Sequence, residues 1–600
     1  MNGIKETNFD SSAFKLNPFE NITEELIHQR TLLMEQQQQQ KIGRSKQSNI
    51  RSSAESQDKL QNEKDEVELS QSFTGSLFNA CLNTTTKILR HIPLAKHVIG
   101  PPNETAATIN KLIAQQKAAT SYTEWYETSI QLDQLCGNNK WKETPESQLF
   151  DYELVSTRLE ELRSARLEKD YHKLLYLIRT TWTRNMANMD NINLYRHSSV
   201  GTKVLVEEFI SECETCLKLF ASGQTGLDDG YVLGMLMQTR KNYGRVAITM
   251  SGGGCFGLLE IGVFATLLEM DLLPKIVSGS SSGSIFSSIM CAKTTPEVLE
   301  LLSTLADRQF EIFEKDDTPE TTVSCLARLL KYGTWFENTH LQTTMKDFLG
   351  DLTFREAYNR TGRILNITVS PASVFDQPTL LNYLTAPNVL IWSAVCASCS
   401  LPGVFPSSTI YEKQPPTGLI QEWSTQEIKF VDGSVNGDLP ITRLSEMFNV
   451  NHVIAVQVNP HVAPLLKMSI ECVGGEVENE YSAKLKQLLH HGYNLVTTEA
   501  MHYLEVLSEI GIATNICTKL KQVLSQQYSG DITILPDIRL TELNKLLANP
   551  TPEFIWDCIV RGARATWPKV SIIKNHCSVE FCLDKSITAI RSRIVADRQV

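Results

Sequence analysis

The sequence predicts an α/β fold of three layers, in which a mostly parallel central sheet is flanked by N- and C-terminal helical regions. Three observations carry this. Val246-Ala247-Ile248-Thr249-Met250 is a largely apolar run that stops at a cluster of glycines. Leu258, Ile261, Phe264, Leu267 and Leu268 then recur at helical spacing and end before Pro274. Lys275-Ile276-Val277 and the helix-like stretch Ser284 to Ala292 repeat the order with short links. Strand, helix, strand, helix joined this tightly is the pattern of parallel strands covered on both faces.

Taken in order, residues 1–72 contain the run Gln36 to Gln40 and a polar tract rich in Ser, Gln, Lys and Glu. Such a tract cannot bury enough apolar surface to offset the entropy of folding, so disorder is expected there. Residues 73–100 mix Leu77, Phe78, Leu82, Ile88, Leu89 and Ile92 with Asn83, Lys87, Arg90 and His91. That mixture suits either an amphipathic segment lying in a lipid interface or a helix packed on the next domain. A helical domain is expected over 104–244, where Val155, Leu159 and Leu162 form a stripe opposite Arg158, Glu160, Glu161 and Arg163. Leu174-Leu175-Tyr176-Leu177-Ile178 is apolar nearly all round and reads as buried. The α/β domain is expected over 245–460, with further strands at Ile364 to Val369, Phe430-Val431 and Val453 to Val458. Residues 461–600 read as mostly helical, with a short strand at Ile532 to Leu535. No internal repeat is visible.

The chain has 600 residues, which calls for more than one unit, and its formal charge of −11 argues against a general nucleic-acid binder. Met1 to Leu16 has no apolar core of the kind a secretory signal needs, so the protein is not expected to be secreted. The 14 cysteines show no disulfide framework and read as reduced thiols. Cys213/Cys216 and Cys396/Cys399 have metal-binding spacing, but each pair lies in a helical stretch with no turn between its members. They read as small buried apolar residues, and no metal site is expected.

The chemistry lies in three short motifs. Gly279-Ser280-Ser281-Ser282-Gly283 follows a strand and precedes a helix, as in a turn that strains a serine so that its Oγ stands clear of the sheet. The positions two before and two after Ser281 must be tiny, and Gly279 and Gly283 are. Upstream, Gly252-Gly253-Gly254-Cys255-Phe256-Gly257 supplies backbone N–H groups able to hold an oxyanion. This cluster also fits a dinucleotide-binding turn, but the acidic residue that such a turn requires should close the second strand. Asp271 precedes Pro274 instead, on the wrong element. A serine needs a base, and Asp432 at the end of Ile428-Lys429-Phe430-Val431 is the best candidate, with Gly433 allowing a tight turn.

In content, order and spacing these motifs resemble the patatin-like phospholipases. Tyr122-Thr123-Glu124-Trp125, Leu174 through Asn185, Arg363 through Ile367, Ala386 through Ile391 and Trp567-Pro568 resemble the fungal branch of that family, the patatin-domain triacylglycerol lipases. The likeness spans roughly residues 75 to 595. It implies a patatin-like core and a Ser–Asp dyad, with Ser281 as nucleophile and Asp432 as base. The oxyanion hole would come from Gly252, Gly253, Gly254 and Gly257. It further implies a neutral lipid or other acyl ester as substrate, work at a lipid droplet or the cytosolic face of a membrane, and no cofactor. Two departures stand out: Glu260 replaces an expected histidine, and the third motif reads Asp-Gly-Ser. No histidine is followed five residues later by Asp, so the acyltransfer motif of some members is missing.

An ordinary aspartate, with a pKa of about 3.9, is a poor base for serine, so the dyad requires a dry pocket that raises it. Two rival readings have distinct consequences. A Ser–His–Asp triad would draw on His452 or His461, in the chain order Ser281, Asp432, His. A catalytically silent lipid-droplet scaffold would keep the motifs without using them.

Overall fold

The structure, a computed structural model, describes residues 104–597 except 305–333, 372–377, 424–428, 435–437, 461, 468–473, 476, 478–479, 512–516 and 518–527. The tracts 1–72 and 73–100 and His461 therefore lie outside the described residues. Contacts divide the described chain after Ala118. Helix α1 (Glu104–Ala118) belongs to one unit, and everything from Ala119 onward to the other.

In the second unit, α2 (Tyr122–Cys136) starts on Ser121, whose Oγ accepts the Glu124 amide at 3.2 Å. The helices α3 (Tyr152–Leu167) and α4 (Tyr171–Thr181) start on Asp151 and Asp170, whose carboxylates accept the amides of Leu154 and Lys173. Each cap satisfies a donor the helix leaves open, and the two aspartates also place a negative charge at the positive end of the helix dipole. Val155, Leu159 and Leu162 form the buried stripe of α3, and Leu174, Leu175, Leu177 and Ile178 that of α4, while Tyr176 is exposed. Next come α5 (Val204–Ala221) and α6 (Asp229–Tyr243).

The sheet begins with β1 (Arg245–Met250), followed by α7 (Leu258–Glu269), β2 (Ile276–Gly279) and α8 (Ser282–Ala292). After α9 (Thr339–Leu349) and α10 (Phe354–Thr361) come β3 (Ile364–Pro371), β4 (Thr379–Leu381) and α11 (Ile391–Ser398). A hairpin of β5 (Tyr411–Lys413) and β6 (Ile420–Glu422) stands apart from the sheet. Then follow β7 (Phe430–Asp432), α12 (Ile441–Phe448), β8 (Val450–Val456), α13 (Glu480–Glu509), β9 (Ile532–Ile534), α14 (Pro552–Thr566) and α15 (Val570–Asp597).

The strand order is β4-β3-β2-β1-β8-β9, with β7 also on β3. Neighbours from β3 to β9 run parallel, and β4 and β7 run antiparallel to β3. The sheet is thus mostly parallel, as its sequence predicts. Val246 through Met250 are all buried, so both sets of alternating side chains on β1 are covered. On one face Ala247, Ile276, Ile364 and Val453 stand in register and pack against Leu444 and Phe448 of α12.

Helices from both ends of the chain share a core. Trp125 of α2 and Val200 pack with Val560 and Ala563 of α14 and with Trp567. Residues from 119 onward therefore form one body, although composition marks changes at 245 and 461. Glu580 of α15 accepts from Arg184 at 2.5 Å, from Arg240 of α6 at 2.8 Å and from the Val246 amide at 2.9 Å. It thereby joins the N-terminal helices, the first strand and the last helix. The described cysteines are free thiols, with Cys213 and Cys216 buried on α5. No described helix is long and apolar enough to cross a membrane, and no cluster of three metal-ligand residues occurs among the described residues.

Candidate active site

The loops at the C-terminal ends of β1, β2 and β7 converge, the usual place for ligands in an open parallel sheet. Ser281 sits between β2 and α8 with φ 49° and ψ −125°, a left-handed conformation costly for any residue with a Cβ. The flanking glycines make the turn possible. A Cβ on Gly279 would lie 2.3 Å from the Gly283 carbonyl oxygen, and one on Gly283 2.5 Å from that of Met250. The Ser281 amide donates to Ser398 Oγ at 3.0 Å, which locks the turn to the end of α11.

Asp432 ends β7 and is 1% exposed. One oxygen accepts the Ser434 amide at 2.8 Å, closing a turn through Gly433, where a Cβ would lie 2.2 Å from the Thr368 carbonyl oxygen. The structure brings Asp432 beside Ser281. The serine hydroxyl is near enough to favour the charged carboxylate, yet no hydrogen bond of normal geometry closes and Oδ2 is left without a partner. Burial pushes this carboxyl up to about 6, against the pull of Ser434 and Ser281, and the charge of Asp438 adds to the rise. A dry pocket of the kind a serine–aspartate pair requires therefore surrounds it.

The glycine cluster divides into three roles. Gly252 packs against the Ser281 turn, where an added Cβ would stand 3.0 Å from the Ser281 Cβ, and its amide donates to Asp438 Oδ1 at 3.0 Å. The expectation that Gly252 contributes an oxyanion donor thus meets an amide already engaged. Gly253 and Gly254 have amides with no partner among the described residues, and Gly254 has φ 56°. Gly257 closes the turn into α7, where a Cβ would be 2.8 Å from the Ser282 Cβ, so it serves packing. The Cys255 amide donates to the Leu546 carbonyl at 2.9 Å, pinning the loop from outside with a distant part of the chain.

Ser281 and Asp432 open into a cavity of about 290 Å³. Ser282, Ile285, Phe286 and Ile289 line it from one face of α8, at i, i+3, i+4 and i+7. Leu341, Met345 and Phe348 of α9, Leu401, Val404 and Phe405, and Leu546, Leu547 and Pro550 complete a wall that is almost wholly apolar. Among the described residues no histidine lines it. His452 pairs with Val246, four residues before the end of β1, and so lies about 13 Å below the site at the usual strand rise. There it meets His576 at 3.4 Å, with Asp531 at 3.7 Å. A triad through His452 is excluded by this register.

Several residues of the site escaped the sequence reading. Asp438, Ser398, Cys399 and Leu546 each touch a motif backbone or side chain, but none belongs to a short pattern that names it. For Asp438 the one available signal was a second acid six residues after Asp432, within reach of the same site.

A family model described as "Patatin-like phospholipase" matches residues 248–444, and one described as "Domain of unknown function (DUF3336)" matches 103–241. The chain is 56% identical over 492 residues to triacylglycerol lipase 4 of Saccharomyces cerevisiae, covering 81% of this chain and 54% of that protein. It is 49% identical to triacylglycerol lipase 5 of the same yeast, covering 82% and 67%, respectively. Triacylglycerol lipase ptl3 of Schizosaccharomyces pombe is 37% identical, with 81% of this chain and 98% of that one covered. The chain thus spans about half the length of the first of these relatives and nearly all of the third.

Proposed function

This chain belongs to the patatin-like phospholipase family, in the branch that holds the yeast triacylglycerol lipases, and from that premise we propose that it hydrolyses neutral acyl esters, triacylglycerol first among them. One observation carries the reading. A strained serine and a buried carboxyl raised to about 6 lie side by side in the lining of an apolar cavity. In this reading Asp432 takes the proton of Ser281 as Oγ bonds to the ester carbonyl carbon. The amides of Gly253 and Gly254 receive the developing oxyanion, with Gly252 and Gly257 shaping the loop around them. Collapse breaks the bond to the alcohol, which leaves with the proton held on Asp432. Water then attacks the acyl carbonyl as Asp432 takes its proton, the bond to Ser281 Oγ breaks, Oγ recovers that proton from Asp432, and the fatty acid is released. No cofactor enters these steps.

The place of work proposed is the surface of a lipid droplet or the cytosolic face of a membrane, where the cavity's apolar wall can receive an acyl chain directly from lipid. The segments proposed from composition remain 1–72, 73–100, 104–244, 245–460 and 461–600, with the chemistry in the fourth. Ser281→Ala in the purified full chain, assayed on emulsified triacylglycerol, should lose at least a thousandfold in turnover and all labelling by a fluorophosphonate. Equal fatty-acid release from variant and parent would leave the silent scaffold as the better reading.

A further inference from the structure

Asp438 sits where the two glycine motifs meet, and it is 2% exposed. Its Oδ1 accepts from the Ser280 hydroxyl at 2.5 Å and from the Gly252 amide at 3.0 Å. Its Oδ2 accepts from Asn459 Nδ2 at 2.8 Å and, at longer range, from Gln457 Nε2 at 3.5 Å. Burial raises the carboxyl above its ordinary value, while each of these four partners donates, which favours the charged carboxylate. One side chain thereby ties the loop after β1, the residue before the nucleophile and the segment after β8.

We propose, on the reading that Ser281 is the nucleophile, that Asp438 is a positioning residue: it holds the Gly253 and Gly254 donors and the Ser281 hydroxyl at a fixed separation. The need for such a clamp follows from the local backbone. Oxyanion donors work only within a few tenths of an ångström of their place, and a left-handed serine persists only where its surroundings over-determine it. The two loops come from different strands, and glycine has no side chain with which to anchor itself. By engaging the amide of Gly252 and the hydroxyl of Ser280, Asp438 acts on the residue adjacent to each working group.

Its charge has a second effect. Asp432 on β7 faces Asp438 from the neighbouring loop and Cys399 from the end of α11, while Glu260 of α7 faces Asp438. All these groups are acidic, so a negative charge at 438 disfavours ionisation of Asp432 and strengthens it as a base.

The test uses the full chain with Asp438→Ala, Asp438→Asn, Ser280→Ala and Ser281→Ala, on a soluble short-chain ester. Asp438→Ala should lower kcat roughly 100-fold with little change in KM, and slow fluorophosphonate labelling of Ser281 in parallel. Asp438→Asn keeps Oδ1 as an acceptor and should recover about tenfold of that loss. It should also move the acid limb of kcat/KM, near pH 6 in the parent, to lower pH, because a neutral side chain no longer raises Asp432. Ser280→Ala should act in the same direction and combine less than additively with Asp438→Ala. Equal losses in the two Asp438 variants with the acid limb unmoved would reduce Asp438 to a packing role, and parent-like kcat in both would overturn the clamp. Should Asp438→Ala fail to fold, the asparagine and Ser280 variants decide by limb position and labelling rate. Parent-like turnover by Ser281→Ala would instead sink the nucleophile reading.

Discussion

Glu260 carries a carboxyl group with no solvent and no partner: it is 0% exposed, and neither oxygen makes a hydrogen bond. Burial, and then the charge of Asp438, push its pKa well above the ordinary carboxylate value. The folded protein therefore holds a proton that the unfolded chain releases above about pH 4.5. The sign follows directly. Stability is fully present below that pH and declines as pH rises toward the folded pKa, by about 1.4 kcal/mol per pH unit. Glu260→Gln removes this slope, so urea unfolding should show the variant gaining on the parent between pH 5 and pH 8. A constant difference across that range would mean that Glu260 is paired or hydrated after all. The sequence reading marked this position only as a departure from an expected histidine, because burial on all sides is not visible in a helical pattern.

At the scale of elements, α7 and α14 pack backbone against backbone through a pair of glycines. A Cβ on Gly262 would stand 1.9 Å from the Ile559 carbonyl oxygen, and one on Gly562 1.9 Å from that of Leu259. Each glycine opens a groove for the other helix's backbone, and α7 is the helix that follows the loop 252–257. Gly262→Ala should therefore destabilise the fold by roughly 1–3 kcal/mol through overpacking, read from the denaturant midpoint. An unchanged midpoint would mean the helices can separate freely. The strand–helix alternation here was legible because 2-residue and 3.6-residue periods differ plainly over ten residues. That α7 meets a helix three hundred residues onward was not, because no local pattern names a partner.

For the molecule as a whole, Glu580 is the junction of the N-terminal helices, β1 and α15. Its carboxylate and Arg184 are each 4% exposed, so removing the acid strands a buried guanidinium. Glu580→Ala should cost about 3–5 kcal/mol, more than the net worth of the ion pair itself. A melting temperature within two degrees of the parent would show that water or another acid replaces it. This junction also explains why the compositional boundaries near 245 and 461 do not separate independent bodies.

Which residues to propose as the reactive groups was legible in the sequence alone. A serine between glycines after a strand, a cluster of glycines before it and an aspartate–glycine pair are local patterns, imposed by steric limits that act over five or six residues. What only the tertiary structure decided was which amides stay free, which carboxyl is lifted and which acid clamps the site. Gly252 gives its amide to Asp438 while those of Gly253 and Gly254 meet no partner among the described residues, and Asp432 rises to about 6 because the fold excludes water from it. Hydrogen-bond competition and desolvation depend on neighbours brought in by the fold, and one-dimensional spacing carries no record of them.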